Sequence, residues 1–443
     1  MRCKNWFLAV VSLLFYTCGQ WQGIPCLLAS VILTWLAGIW LPKDGGGRKK
    51  LLLAAVLIIH LLLLGSFKYW NFFTGMLNGL LGLRLPETSL ILPVGISFFT
   101  FKAMSYAIDV YRDGNAAAKR FSDVLLYISF FPQITSGPIS RFGSFAERLE
   151  KRPVDAERIA RGLRRFIVGY AKKALISEAA AGIANSAFGM SAGDLDFRLA
   201  WLGAAAYTVQ IYFDFSGYSD MSIGLASILG FDTPENFNYP YISASITEFW
   251  RRWHISLSSW FRDYLYIPLG GGRRGTVRKG VNKAIVFLLC GLWHGASWTF
   301  VIWGVWHGVF SALESYMPER VKALGRTLPG KVLSHVYTLL VVCLGFVIFR
   351  ASSLGEALMV YRAMFTGGTA AESGLALARI SPAAWCAMGA GVVGSTPVGP
   401  WLKERASGGF WRPVSYIAAA GLFVLCLLCA AGSGFQPFIY TQF

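Results

Sequence analysis

Long apolar runs recur along the whole chain, at 6–19, 24–42, 51–66, 89–108, 122–139, 162–188, 199–230, 281–313, 333–350, 380–396 and 414–432. Crossing a hydrocarbon core takes about 20 mostly apolar residues in a helix, so most of these runs are candidate spans. Several are short or interrupted, as at Phe131-Pro132 and Ser136-Gly137-Pro138. Broken backbone at membrane depth must be buried in protein or line a cavity, so such segments tilt or re-enter. The runs predict an all-α, multi-pass integral membrane protein with about ten transmembrane helices plus re-entrant and interfacial helices.

Charge supports that reading and closes others. Only 14% of the residues are charged, against roughly 25% in soluble proteins. Yet 41 Lys and Arg oppose 23 Asp and Glu, a formal net charge of +18. Disorder is excluded, because it pairs charge with low hydrophobicity. A nucleic-acid binder would carry its basic residues on a polar scaffold. Here they gather in segments 43–50, 112–120, 141–173, 251–283 and 319–331, which by the positive-inside rule mark the cytoplasmic face. Arg273, Arg274, Arg278 and Lys279 would also attract an anionic, phosphate-bearing donor. Met1-Arg2-Cys3-Lys4 and the run behind it resemble a signal peptide, but no small-x-small cleavage site follows, so a retained first helix is expected. The eight cysteines are scattered, most of them inside apolar runs, and imply packing rather than a disulfide framework.

Ionisable residues inside apolar segments are costly and therefore point to function. Of five histidines, His254, His294 and His307 fall in one third of the chain. If Lys283 marks the boundary, eleven helical residues put His294 about 16 Å into the membrane, near its midplane. Gly291 and Gly295 beside it permit close approach of backbone or ligand. Ser245-Ile-Thr-Glu248 has the form of a capping box and predicts a helix from about 246. Its alternation of Trp250, Trp253, Trp260, Phe261 and Tyr264 with Arg251, Arg252 and Arg262 predicts an amphipathic interfacial helix, aromatics toward lipid. Gln210, Asp214 and Tyr218 share one helical face; a buried Asp214 calls for an Arg or a protonated His as partner. That face suits a structural network and a site lining equally. Phosphate-loop, zinc-protease and α/β-hydrolase motifs are absent from the sequence.

These residues resemble a known family. Gln210-Ile-Tyr-Phe-Asp-Phe-Ser-Gly-Tyr-Ser-Asp220, Asn236-Phe-Asn238, Phe249 through Ser258, Phe261-Arg-Asp-Tyr264 and Gly291 through Trp298 are similar to strings of the bacterial membrane-bound O-acyltransferases. That branch includes the membrane subunit of alginate O-acetyltransferase and its peptidoglycan relatives. Pro93-Val-Gly-Ile-Ser-Phe98 and Phe130-Phe-Pro-Gln-Ile-Thr-Ser-Gly-Pro-Ile139 extend the likeness upstream.

The resemblance implies one membrane domain over 1–443, with its motif-bearing core at about 89–313 and a tail at 433–443. It implies a helical ring with a central tunnel in a bacterial inner membrane. His294 and His254 would be catalytic, with Trp293, Asp214 and Asn238 lining the site and no metal. The donor would be acetyl-CoA or another acyl thioester at the cytoplasmic face. An SGNH-hydrolase-like partner outside would pass the acyl group to hydroxyls of a cell-surface polysaccharide. In the tail Phe438-Ile-Tyr-Thr-Gln-Phe443, Tyr440 would relay the acyl group, or serve as an aromatic interface anchor. The chemistry suits histidine, whose neutral ring accepts a proton near pH 7 and is favoured by burial. D-alanyl transfer to teichoic acid would use a similar frame. A transporter or export channel, or a scaffold that recruits the external enzyme, would also carry broken helices and midplane polar groups.

Overall fold

The computed structural model describes residues 2–41, 46–318, 327–405, 411–432 and 437–439. Among them all regular structure is helical. The chain forms two compact units, Met1–Leu163 with Ser222–Glu235, and Arg164–Met221 with Asn236–Phe443.

The first unit is built from α1 (Arg2–Gln20), α2 (Ile24–Trp40), α3 (Gly47–Lys68), α4 (Trp70–Leu81), α5 (Ile96–Arg112), α6 (Phe121–Ser129) and α7 (Phe142–Glu150). Helix α5 packs on α2 and α3, and α1 packs on α6. The run predicted at 122–139 stops being helical after Ser129, and residues 130–141 are irregular. Their polar backbone needs internal partners. Tyr127 Oη donates to Ser140 O at 2.9 Å and Phe131 N–H to Ser12 Oγ at 3.2 Å. The fully buried Lys102 of α5 anchors the segment through a side chain, its ammonium donating to Tyr127 O in α6 and, at 3.2 Å, to Gln133 Oε1. Gln133 in turn donates to Ser140 Oγ and Thr233 Oγ1, each at 2.9 Å. The two upstream family strings interlock here. Gly95 has φ +74°, and a Cβ on it would lie 1.9 Å from Ile134 O, so only glycine fits.

Helices α8 (Ala156–Ala171), α9 (Glu178–Phe188) and α10 (Phe197–Ile228) follow. One π-helical turn, Lys172–Ser177, separates the first two. Then come α11 (Ile246–Arg252), α12 (Ile255–Phe261), α13 (Gly275–His294), α14 (Trp298–Tyr316), α15 (Leu328–Arg350), α16 (Leu354–Thr366), α17 (Ala371–Ala378), α18 (Pro382–Gly394), α19 (Val398–Arg405) and α20 (Trp411–Gly432).

The Ser245 cap forms as predicted, with Glu248 N–H donating to Ser245 Oγ at 3.0 Å and α11 starting at Ile246; the Glu248 carboxylate reaches back one residue further, accepting from Ala244 N–H at 3.0 Å. The helix so opened differs from expectation. It breaks at His254, whose φ is +43°, and continues as α12. Trp250, Trp253, Trp260 and Phe261 are buried within the protein rather than turned to lipid. The cause is aromatic partnership: Trp250 meets Phe287 at 5.2 Å and Trp303 at 5.6 Å, and Trp253 meets Phe237 at 5.1 Å. Such edge-to-face pairs add to the gain from burial.

The run at 281–313 is two helices rather than one. Helices α13 and α14 are antiparallel, joined at 295–297. They approach closely enough that a Cβ on Gly291 would lie 2.3 Å from Phe300 O, and one on Gly304 2.5 Å from Phe287 O.

Among the described residues, four segments are long and apolar enough to cross a membrane: Arg2–Trp40, Gly47–Lys68, Leu328–Arg350 and Pro413–Gly432. The pair Ala371–Ala378 and Pro382–Gly394, bent by 83°, makes a fifth if it is one span. This is fewer than the roughly ten expected from runs of about 20 apolar residues. Other runs sit on helices such as α5, α10 and α13, which carry Lys102, Asp214 and Lys283 and face protein with much of their surface. By contrast α3 and α20 expose Leu51, Leu62, Ile417 and Leu428, an apolar surface suited to lipid. The protein is an all-helical, multi-pass membrane protein.

Gly304→Leu is expected to wedge the α13–α14 hairpin apart and cost about 1–3 kcal/mol. The melting temperature of the detergent-solubilised protein would fall accordingly; an unchanged Tm would show that the close approach is dispensable.

Candidate active site

The α13–α14 approach sets the position of His294, the last residue of α13, which is 3% exposed. Its imidazole is enclosed by rings: Trp303 at 4.9 Å, Trp293 at 5.0 Å and Phe349 of α15 at 5.2 Å. Trp303 also meets His307 at 5.0 Å, and Trp293 meets His254 at 6.0 Å. The three histidines therefore lie in one series, His254–Trp293–His294–Trp303–His307, with an indole between each pair. His307 ends the series against Trp250, whose indole N–H donates to Nδ1 at 3.4 Å.

His254 is fully buried at the break between α11 and α12. The segment holding Asn236 and Asn238 runs alongside that break. Asn238 N–H donates to Arg252 O, and Ile255 N–H to Asn236 O, each at 2.9 Å. The Asn236 side chain is buried and its Oδ1 lies 3.1 Å from His254 Nδ1. Asn238 is exposed and meets the break through its backbone.

Asp214 is buried on α10, and its partner is a lysine rather than the expected arginine or histidine. Lys173 Nζ lies 2.8 Å from Asp214 Oδ1 and 2.8 Å from Glu178 Oε1. The π-helical turn Lys172–Ser177 carries this lysine, a feature no apolar periodicity reveals. The polar face of α10 receives the chain's own C-terminal segment. Ile439 N–H donates to Asp214 Oδ2 at 2.8 Å. The Lys173 ammonium sits 5.1 Å over the Phe438 ring, and Tyr218 meets that ring at 5.0 Å. Tyr440 lies outside the described residues.

A cavity of about 790 Å³ opens between α11, α12, α13 and α14. Arg251, Arg262, Lys279 and Lys283 line it, with Glu314. Glu314 is engaged at the start of α11, accepting from Ile246 N–H at 2.5 Å and Thr247 N–H at 2.9 Å. The apolar wall is Trp250, Phe287 and Cys290. Cys290 is one helical turn before His294, and Trp250 touches His307. Of the four basic residues singled out as an anion attractor, Lys279 lines the cavity; Arg251, Arg262 and Lys283 join it there. A site of this size with an apolar wall and charged groups suits a ligand with an anionic portion and a small uncharged one.

Sequence reasoning singles out His254, His294, Trp293, Asp214, Asn238 and Tyr440; the structure brings His254, Trp293 and His294 into one series of ring contacts, while Asn238 is exposed and Tyr440 lies outside the described residues. That reasoning missed Trp303 as the ring between two histidines, Lys173 as the counter-charge, and Asn236 as the imidazole's partner. Asn236 was visible only as part of a string shared with the family.

Residues 94–354 match the family model of MBOAT, the membrane-bound O-acyltransferase family. The chain is 42% identical over 373 residues to the protein named "Probable alginate O-acetylase AlgI" of Azotobacter vinelandii, covering 83% of this chain and 74% of that one. It is 34% identical over 389 residues to a peptidoglycan O-acetyltransferase of Helicobacter pylori, covering 82% and 73% of the two chains. It is 31% identical over 282 residues to a teichoic acid D-alanyltransferase of Bacillus subtilis, covering 60% and 70%. The chain belongs to the membrane-bound O-acyltransferase family, and it is an O-acyltransferase.

Proposed function

We propose that this protein moves an acetyl group from acetyl-CoA at the cytoplasmic face of a bacterial inner membrane toward hydroxyls of a cell-surface polysaccharide. A partner of the SGNH-hydrolase kind on the outer side would complete the transfer. The observation that carries this reading is the cavity with Arg251, Arg262, Lys279 and Lys283 on its lining and an apolar wall that reaches Cys290, one turn from His294. Phosphates of a donor would pair with the cations, and the thioester would lie along the apolar wall.

His294 is the proposed general base. It takes the proton of the attacking hydroxyl as the acyl carbon–oxygen bond forms and the carbon–sulfur bond breaks. The proton then goes to the departing thiolate, so the ring returns to its neutral form. His254, across Trp293, is the second catalytic group, and Trp293, Asp214 and Asn238 line or support the site. Tyr440 is the proposed acyl carrier. Ile439, which precedes it in sequence, donates its N–H to Asp214, and this supports a role for the tail. The likeness to proteins named for alginate and peptidoglycan O-acetylation favours acetyl and a glycan acceptor. The likeness to a teichoic acid D-alanyltransferase keeps D-alanyl from a carrier thioester as the second reading. A transport function has no support from the family.

Purified protein in liposomes with labelled acetyl-CoA is expected to take up label on Tyr440, and Tyr440→Phe to lose it. His294→Ala should lower acyl transfer by at least about a hundredfold, the usual contribution of a general base, with the protein still folded; a full rate in this variant would overturn the assignment. Label from D-alanyl carrier thioester in place of acetyl-CoA would select the second reading.

Charge reversal at the cavity tests the donor site separately. Arg251→Glu together with Lys279→Glu should raise KM for acetyl-CoA by about tenfold or more, since a charge-assisted hydrogen bond is worth about 1.5–3 kcal/mol, while kcat changes little. An unchanged KM would place the donor elsewhere.

A further inference from the structure

The side chain of Asn236 has one orientation open to it. Ser256 N–H, an obligate donor, lies 3.2 Å from Oδ1, and the Ser256 hydroxyl lies 2.9 Å from the same oxygen. Nδ2 donates to Ser219 Oγ on α10 at 3.0 Å. Rotating the amide would set its NH2 group against a backbone N–H. The oxygen therefore faces His254, and Nδ1, 3.1 Å from it, must carry a hydrogen. In the neutral ring the lone pair then resides on Nε2. Ser219, Asn236, His254 and Ser256 are all buried, so water does not compete for these bonds.

The backbone gives an independent pointer to the same place. Among the described residues, Tyr239 and His254 are the two non-glycine residues with positive φ, +45° and +43°. They lie at the two sides of one pairing, where 236–238 runs beside 252–255. Such conformations are costly for side-chain-bearing residues and persist where the surroundings over-determine them, often at functional sites. Here both flank the pairing that carries the contact between one amide and one imidazole.

We propose that Asn236 is a positioning residue for acyl transfer: it holds His254 as the Nδ1–H tautomer, so that Nε2 presents a lone pair to the reacting groups. Nε2 accepts a hydrogen bond or a proton there, while Nδ1–H stays on Asn236 Oδ1 throughout. The inference rests on the assignment of His254 to the acyl-transfer site. The handover from Trp253 to Ile255 supplies the ring's direction, and Asn236 supplies its proton placement.

The test combines a spectroscopic signature with a rescue. In protein carrying ring-15N histidine, the signal lost in His254→Gln is expected to report a protonated Nδ1 and an unprotonated Nε2. Asn236→Leu should mix the tautomers and lower kcat by about tenfold or more, a fraction of a general base's contribution, with KM for acetyl-CoA within about twofold. Asn236→Asp keeps an acceptor oxygen, and should keep Nδ1–H and recover much of the lost rate. A wild-type signal from the Nε2–H form overturns the proposal without any variant having to fold. So does an Asp variant no better than the Leu variant, or an unchanged tautomer in the Leu variant. If the tautomer and rescue behave as stated but His254→Gln keeps full activity, Asn236 orients a ring that the reaction does not use, and the functional part of the proposal falls. Absence of acyl transfer by the wild-type protein would instead sink the function proposed above.

Discussion

The close approach of α13 and α14 is the contact on which the candidate site depends. Gly291 meets Phe300 O and Gly304 meets Phe287 O at distances that leave no room for a side chain. With the two backbones this near, rings on the facing turns must share one layer, and Trp303 comes to lie against both His294 and His307. In a bilayer, helices gain little from hiding apolar surface from each other, and small residues that permit close packing take over that role. A larger residue at either glycine would move His294 and the cavity wall at Phe287 and Cys290 together.

The interior built on that hairpin is unusual in its mixture. Indole and phenyl rings meet the His294 and His307 imidazoles, and charged groups stand at the cavity lining and at the Lys173–Asp214–Glu178 cluster. Charges with partners are affordable inside a protein, whereas an isolated charge is not. The first unit handles its own polar interior by the same rule, with Lys102 and Gln133 bonded to each other and Gln133 to the Ser140 hydroxyl, beside the irregular segment that replaces the end of a predicted span.

Much of this was legible in the sequence, and the losses have physical causes. The capping box at Ser245 located α11 because its hydrogen bond is local to four residues. The Gly-Pro breaks located the irregular segment after Ser129 for the same reason. The break between α11 and α12 was invisible, since nothing in the string around His254 demands a positive φ; the pairing with 236–238 accompanies it from a distance in sequence. The alternation of aromatics and arginines was read correctly as amphipathic but assigned the wrong apolar neighbour. Lipid and protein interior attract a tryptophan by similar means, and periodicity alone does not tell them apart. Length and hydropathy pick out fewer spans than the apolar runs suggest where helices face protein, because a helix such as α10 can carry Asp214 once Lys173 is there to meet it.

The contact between Asp214 and the C-terminal segment goes through the main chain at Ile439. A carboxylate that reads an amide N–H is blind to the side chain on the same residue. This contact asks of position 439 only that it keep its amide hydrogen, and proline is the one residue that removes it. The aromatic before it is held differently, by its ring against Lys173 and Tyr218. The two adjacent residues are thus held in two different ways, one by its ring and one by its main chain, and proline at 439 would remove the second hold while leaving the first.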